Sequence, residues 1–299
     1  MKKTQTLRPS PTALLDPKCD VSFKAMFTQD TEESNAALKD FISTILNQKV
    51  VELELIPNEP PVDEIHELRM SFDVSVKFNN GERADIEMQS QQEKYDYAAR
   101  AESQVARLLN LNTKKGSKWK TQKVYQISVL DFEIENMQDD NSPLSWYTMK
   151  NGSGKKLADR LNIIFFDLIK VHKLFGQPVE KLSKLEKWGL FLSYAGDLRK
   201  ADYIDSIAKS EEALMNAKSS LSKVSQDEII WAQQNSLFKA RMDYNSNVAA
   251  WHEEGYKEGI QQGAHKKAVE TAKIFLKDGK YTAEQISALL QIPVDEFTE

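Results

Sequence analysis

Four polar side chains with metal-binding chemistry alternate with apolar residues in one short stretch of the sequence. Asp73 lies on a first predicted strand, and Asp85, Glu87 and Gln89 lie on a second. Successive side chains of a strand point to opposite faces, so the intervening apolar residues would face the core. Carboxylate oxygens are preferred ligands of Mg²⁺, which can activate water and stabilise the charge of a phosphoryl transition state. The spacing therefore predicts a divalent-metal site suited to phosphodiester chemistry.

The loop between these strands determines which side chains meet. Asn79-Asn80-Gly81 predicts a three-residue turn whose glycine adopts the left-handed conformation. This register places Asp73 opposite Glu87, with Asp85 and Gln89 beside them. Directly opposed like charges are destabilising, and a divalent cation would neutralise them. The alternative is that these residues form the solvated outer face of an ordinary hairpin.

The elements that would position this hairpin follow from hydrophobic periodicity. Apolar residues at spacings of three and four predict helices over 20–47 and 95–111. Beyond about residue 181 the pattern is helical almost throughout. Further strands are predicted at 50–56 (or a helix exit there), 124–133, 145–149 and 161–169. This order predicts an α/β or α+β core with a helical extension.

Six segments resemble one known family when they are taken in order along the chain. The hairpin "FDVSVKFNNGERADIEMQ" at 72–89 is similar to the active-site hairpin of the PD-(D/E)XK nuclease superfamily, and its "IEMQ" ending resembles the recombination-promoting nuclease (putative transposase) family. The other five segments are "LDPKCDVSFKAMF" at 15–27, "ARAESQVARLLN" at 99–110, "VYQISVLDF" at 124–132, "LEKWGLFL" at 185–192 and "AKIFLKDGKYTAEQISALLQIPVDEF" at 272–297.

The resemblance implies a restriction-endonuclease-like core, a mixed β-sheet flanked by helices, with a helical C-terminal extension. It implies that Asp73 and Glu87 ligate the metal. Gln89 would occupy the position of the superfamily's lysine, where a neutral amide could orient the attacking water but could not supply a positive charge. Lys77 shares a strand face with Asp73 and is a candidate for that missing charge.

The resemblance also implies auxiliary residues on two helices. Asp20 and Lys24 match positions of the family's opening helix and could supply an outer metal ligand and a phosphate contact. Their alternative is a surface ion pair, because the i,i+4 spacing suits one equally well. Arg100, and more weakly Gln104, could meet a phosphate or the carboxylates, and the alternative for Arg100 is an ordinary helix salt bridge.

A cluster of lysines around one tryptophan is the most basic stretch of the chain. Such a cluster could hold a phosphate backbone and stack a base, and the alternative is a solvated loop. Its members are Lys114, Lys115, Lys118, Trp119, Lys120 and Lys123.

Composition limits the classes of protein that this chain can represent. The 299 residues carry 40 Lys and Arg against 45 Asp and Glu, so the net charge of −5 argues against a coat of nucleic acid over the whole surface. The single cysteine, Cys19, excludes an internal disulfide and a cysteine-based zinc site. No apolar run approaches the length of a membrane span. With no apolar segment behind the basic N-terminus, a cytoplasmic location and no membrane partner are expected.

Four regions are predicted along the chain. A flexible tail at 1–13 precedes the nuclease-like core at 14–205. A helical extension at 206–250 leads to a polar linker helix and small helical module at 251–299.

Together these features predict a Mg²⁺-dependent DNA endonuclease, with Mn²⁺ or Ca²⁺ as other candidate ions. The resemblance implies a role in recombination, transposition-like processes or defence against foreign DNA. A homodimer is expected, because two copies of one site cut both strands most simply. The alternatives are a non-catalytic DNA-binding or assembly protein that keeps the fold, and a helical interaction protein that acts through its tail.

Overall fold

The computed structural model describes residues 12–56, 73–91, 96–113, 118–134 and 141–298. Residues 1–11 of the predicted tail, together with Phe72, Lys114 and Lys115, lie outside the described residues. The chain divides into two compact units, Met1–Gln234 and Asn235–Glu299.

A mixed six-stranded sheet forms the centre of the first unit. Its strands are β1 (Leu53–Leu55), β2 (Val74–Phe78), β3 (Arg83–Gln89), β4 (Val124–Leu130), β5 (Leu144–Thr148) and β6 (Leu161–Asp167). They lie in the order β1-β2-β3-β4-β6-β5. The inner pairs β3–β4 and β4–β6 are parallel, and the other three pairs are antiparallel. The predicted strands in these regions are confirmed, although β4 and β6 end two or three residues earlier than predicted.

The β2–β3 hairpin has the predicted register. Val74 pairs with Ile86, and Lys77 pairs with Arg83. Gly81 closes the turn at a φ of 82°, a left-handed conformation that favours glycine. A slip of one residue would turn every side chain to the opposite face, so burial of one face specifies this register.

Helices of the first unit cover both faces of the sheet. In chain order, the helices of the described residues in both units are α1 (Asp20–Thr28), α2 (Glu32–Leu46), α3 (Tyr97–Asn112), α4 (Leu168–His172), α5 (Lys184–Tyr194), α6 (Ala201–Lys209), α7 (Glu212–Ser225), α8 (Glu228–Asp278), α9 (Ala283–Leu290) and α10 (Asp295–Thr298). Apolar residues of α1, α2, α5, α6 and α7 form one core with the apolar face of the hairpin. Helix α3 packs on the opposite face, against β4 and β6. The predicted α/β, restriction-endonuclease-like arrangement with a helical C-terminal region is confirmed.

The helical structure predicted over 20–47 is present as two helices, α1 and α2. Gln29 has extended backbone and ends the first helix. Thr31 then caps the second, its side chain accepting a hydrogen bond from the backbone N–H of Ser34. A capping threonine satisfies an N–H that would otherwise lack a partner. Residues 28–35 are all polar, and this gap in the apolar pattern coincides with the break.

An aromatic cluster centred on α2 anchors the first unit. The ring of Phe41 stacks on Phe27 at 5.4 Å between centroids and meets Trp188 edge-on at 5.1 Å. The indole N–H of Trp188 donates to Asp40 at 3.0 Å, so this buried ring keeps its polar atom satisfied. The cluster fastens α2 to α5 beneath the sheet.

The second unit has a small core of its own. It is built from the end of α8 and from the residues that follow, and its buried members are Ala272, Ile286, Ile292 and Phe297. Thr282 and Gln285 form the predicted capping box at the start of α9. None of the helices in the described ranges is long and apolar enough to cross a membrane.

We expect Leu38→Ala to lower the free energy of unfolding by about 2–5 kcal/mol, because its side chain is fully buried in the core beneath the sheet. The matched control is Leu198→Ala, at a side chain that is 65% exposed, which should cost less than about 1 kcal/mol. Urea unfolding followed by circular dichroism measures both. Equal losses in the two variants would contradict this account of the core.

Candidate active site

The hairpin brings together the three residues predicted to be catalytic. Asp73 directly precedes β2, and extending the β2–β3 register by one residue places it opposite Glu87. The backbone N–H of Met88 donates to Oδ2 of Asp73 at 3.0 Å, which ties this carboxylate to the neighbouring strand. Gln89 follows on the same face of β3, and its Nε2 donates to Oε2 of Glu87 at 3.3 Å.

Helix α3 supplies the remaining hydrogen-bond donors to Glu87. The hydroxyl of Tyr97 and Nη2 of Arg100 each lie 3.4 Å from Oε2 of this carboxylate. Nε2 of Gln104 donates to Oε1. These three residues are spaced i, i+3 and i+7, so they share the helix face that meets the sheet. The structure thus places the predicted auxiliary residues Arg100 and Gln104 directly on Glu87.

Burial disfavours the charged forms of Asp73 and Glu87. It raises the pKa of Asp73 to about 6 and that of Glu87 to about 7. The guanidinium of Arg100 opposes the shift at Glu87, whereas the charge of Asp73 adds to it. A cation between the two carboxylates would favour their charged forms and lower both pKa values.

Asp85 lies on the same strand face but deeper, and it is fully buried. Neither carboxylate oxygen has a hydrogen bond of ordinary length among the described residues. The side-chain amide of Gln126, the residue that pairs with Asp85 on β4, favours the charged form of this carboxyl and lowers its pKa. Burial and the nearby Glu87 raise the pKa of Asp85 well above its usual range. A buried carboxyl of this kind is held protonated or is satisfied by a cation or ordered water.

Helix α1 contributes charges to the site from the side of Asp73. The carboxylate of Asp20 raises the pKa of Asp73, and the ammonium of Lys24 lowers it. Asp20 is exposed at the first position of the helix and accepts a hydrogen bond from the backbone N–H of Val21 at 2.8 Å. Both predicted residues of the opening helix therefore lie within electrostatic range of the central carboxylates.

The structure does not bring Lys77 to this site. Lys77 pairs with Arg83 at the turn end of the hairpin, four residues along the strand from Asp73. Four residues of strand span about 13 Å. Lys77 therefore lies too far away to supply the charge that Gln89 lacks.

The basic loop also lies at the turn end of the sheet. Its described part leads into β4, and the carbonyl of Lys123 accepts a hydrogen bond from the backbone N–H of Arg83. Six strand residues, about 20 Å, separate Arg83 from Gln89. Trp119 is 88% exposed, and both it and Lys118 have positive φ values. Lys120 is exposed, and the ammonium of Lys123 pairs with Asp159 at 2.9 Å.

Sequence reasoning missed the polar residues that surround the carboxylates. Tyr97 was not singled out, although its spacing from Arg100 and Gln104 places all three on one helix face. Ser128 and Gln126 are fully buried on β4, beside Glu87 and Asp85 in the parallel register. Polar residues at alternate positions of a predicted central strand were the signal available in the sequence.

The site offers hard oxygen ligands but no preformed metal cage. Among the described residues, no group of three or more His, Cys, Asp or Glu side chains is arranged to hold a metal ion. Asp73 and Glu87 nevertheless present two carboxylates with raised pKa values, and the oxygens of Asp85 lack partners. This donor set fits Mg²⁺, Mn²⁺ or Ca²⁺, with water as the remaining ligands.

We expect the metal-free protein to lose stability as the pH rises from about 4.5 towards 7. The folded protein binds the proton of Glu87 more tightly than the unfolded chain, whose pKa is near 4.5, so raising the pH favours unfolding. A shift to about 7 corresponds to about 3 kcal/mol at pH 8. Glu87→Gln should reduce this pH dependence of the unfolding free energy in urea. Exposed Glu102 on α3 provides the control, since Glu102→Gln should leave the dependence unchanged.

Comparison with known proteins identifies the family of this chain. The PD-(D/E)XK nuclease family transposases match residues 17–250 of this chain, a range that includes the whole hairpin and α3. No curated protein and no solved structure matches it. The family match covers most of the chain and contains each of the three central side chains. The chain therefore belongs to the PD-(D/E)XK nuclease family transposases.

Proposed function

We propose that this protein is a metal-dependent DNA endonuclease that hydrolyses phosphodiester bonds. The observation that carries the proposal is the buried pair of Asp73 and Glu87 at one end of the hairpin, with raised pKa values and Gln89 beside them. Two buried carboxylates in this position destabilise the fold when they are charged, so their presence is explained by a bound cation. Family membership makes phosphodiester hydrolysis the reaction to test.

Asp73 and Glu87 would hold the divalent ion, preferably Mg²⁺. When bound, the ion would supply electrophilic stabilisation of charge on the phosphate and would lower the pKa of water. The N–H of Met88 holds Asp73 in position, and α3 holds Glu87. Gln89 carries an amide next to Glu87, which can accept a hydrogen bond from a water molecule and orient it towards the phosphorus atom.

Lys24 is a better candidate than Lys77 for the positive charge that Gln89 cannot provide. Its charge acts on Asp73 in the folded protein, whereas Lys77 lies at the far end of β2. An ammonium near the central carboxylates could contact a phosphate of the substrate, while Asp20 could serve as an outer ligand. This assignment favours α1 over the hairpin as the source of the auxiliary charge.

A second candidate function is DNA binding without cleavage. The exposed Trp119 beside Lys118 and Lys120 favours it, since an aromatic ring among lysines can stack on a base. The neutral Gln89 also favours it, because the superfamily's lysine is absent. In this case the carboxylates would be dispensable and the basic loop would determine DNA affinity.

Cleavage of supercoiled plasmid separates the two functions. We expect wild-type protein to cut in Mg²⁺ and not in EDTA, and we expect Asp73→Ala and Glu87→Ala to lower the rate by at least about 100-fold, because each removes a proposed metal ligand. Lys77→Ala is the control and should retain cleavage. Folded wild-type protein that binds DNA but does not cut with Mg²⁺, Mn²⁺ or Ca²⁺ would favour the second function, and Lys118→Ala with Lys120→Ala should then weaken binding.

The active form would be a homodimer, because two copies of one site cut opposite strands by symmetry. Sedimentation equilibrium of the full chain should give about twice the monomer mass of 34.1 kDa. A mass of one chain, both alone and with a duplex, would contradict this. Single-strand nicks as the final product would then be expected.

A further inference from the structure

One oxygen of Glu87, Oε2, has more hydrogen-bond donors around it than it has acceptor positions. Oε2 accepts hydrogen bonds from Gln89, Tyr97 and Arg100, and Oε1 accepts from Gln104. Each carboxylate oxygen offers about two acceptor positions. A metal ion that binds Oε2 must therefore displace one of its donors.

Arg100 is the donor that a metal ion would displace. Tyr97 is buried and its ring packs edge-on against Phe132, so this donor has little room to move, and the amide of Gln89 is neutral. Arg100 is 34% exposed and lies near the start of α3. It also carries a full positive charge, which would repel a divalent cation on the same oxygen.

A DNA phosphate is the anion that the proposed reaction would bring to a displaced Arg100. The planar guanidinium fork matches the oxygens of a phosphate and is less strongly hydrated than an ammonium. From the exposed edge of the site, this side chain can exchange one negative partner for another. When a phosphate binds Arg100, this exchange would make the carboxylate of Glu87 available to the metal ion.

We propose that the guanidinium of Arg100 binds the Glu87 carboxylate where the metal ion would bind, and that it thereby couples DNA binding to metal binding. Resting on the proposed function, this inference assigns Arg100 the role of a positioning residue. Without DNA, the arginine competes with the divalent cation for the Glu87 carboxylate. With DNA bound, the arginine moves to a backbone phosphate and the cation enters. Linkage requires the reverse as well, so the cation strengthens DNA binding by the same factor.

The test measures the affinity for Mn²⁺ by isothermal titration calorimetry on the full-length protein without DNA. Arg100→Ala and Arg100→Gln should each bind Mn²⁺ at least about five-fold more tightly than wild type, the lower end of typical coupling. A purely supporting role predicts the opposite sign, because Glu87 would lose a donor that orients it. Arg107→Ala, on the same helix and with the same change in net charge, is the control and should leave the affinity unchanged.

The second measurement repeats the titration with a cleavage-resistant phosphorothioate duplex. DNA should raise the Mn²⁺ affinity of wild type by at least about five-fold and that of the Arg100 variants by much less. Unchanged or weaker Mn²⁺ binding by both Arg100 variants, with thermal unfolding showing intact folding, would overturn the proposal. So would the absence of Mn²⁺ binding to wild type, since nothing would then compete with the arginine.

These outcomes are separable from the fate of the nuclease assignment. If wild type cuts plasmid only with metal but the Arg100 variants do not bind Mn²⁺ more tightly, the coupling is wrong and the nuclease stands. If the variants bind Mn²⁺ more tightly but wild type never cuts, the competition stands and the nuclease assignment is wrong.

Discussion

Electrostatic repulsion between buried carboxylates is the constraint on which the rest of this site depends. The hairpin register brings Asp73 opposite Glu87, and the same strand face carries the fully buried Asp85. Charging all of these groups is energetically unfavourable without a counter-charge, and their pKa values are raised for this reason. The apolar core on the other face is what keeps the register from slipping, so hydrophobic packing maintains the repulsion.

Helix α3 offsets part of this repulsion by donating hydrogen bonds to Glu87. It lies on the polar face of the sheet and presents Tyr97, Arg100 and Gln104 to one carboxylate. Together with Gln89, this arrangement gives Oε2 of Glu87 three donors, one of them charged, while Asp73 accepts from the backbone N–H of Met88. The two carboxylates therefore have different surroundings, although they face each other across one hairpin. A cation that binds Oε2 of Glu87 would have to displace one of these donors.

The charged features of the first unit are separated along the strands. The carboxylates, α1 and the start of α3 lie at one end of the hairpin, whereas Lys77 and the basic loop lie at the turn end. The separation of about 20 Å means that the loop cannot contact the same phosphate as the carboxylates. If the loop binds DNA, it does so at a distance from the scissile bond, as a contact that positions the substrate.

Local rules were sufficient for the parts of this protein that depend on neighbouring residues. Alternation specified the strands and their polar face, and the turn at 79–81 specified the register that pairs Asp73 with Glu87. Tertiary structure decided what no local rule contains. Whether Arg100 meets a carboxylate depends on how α3 packs across β4 and β6. The break between α1 and α2 has a local signal, because residues 28–35 are all polar and Thr31 is a favoured capping residue. Periodicity reports which face is buried, whereas distances between remote groups arise only when the sheet and its helices close around a shared core.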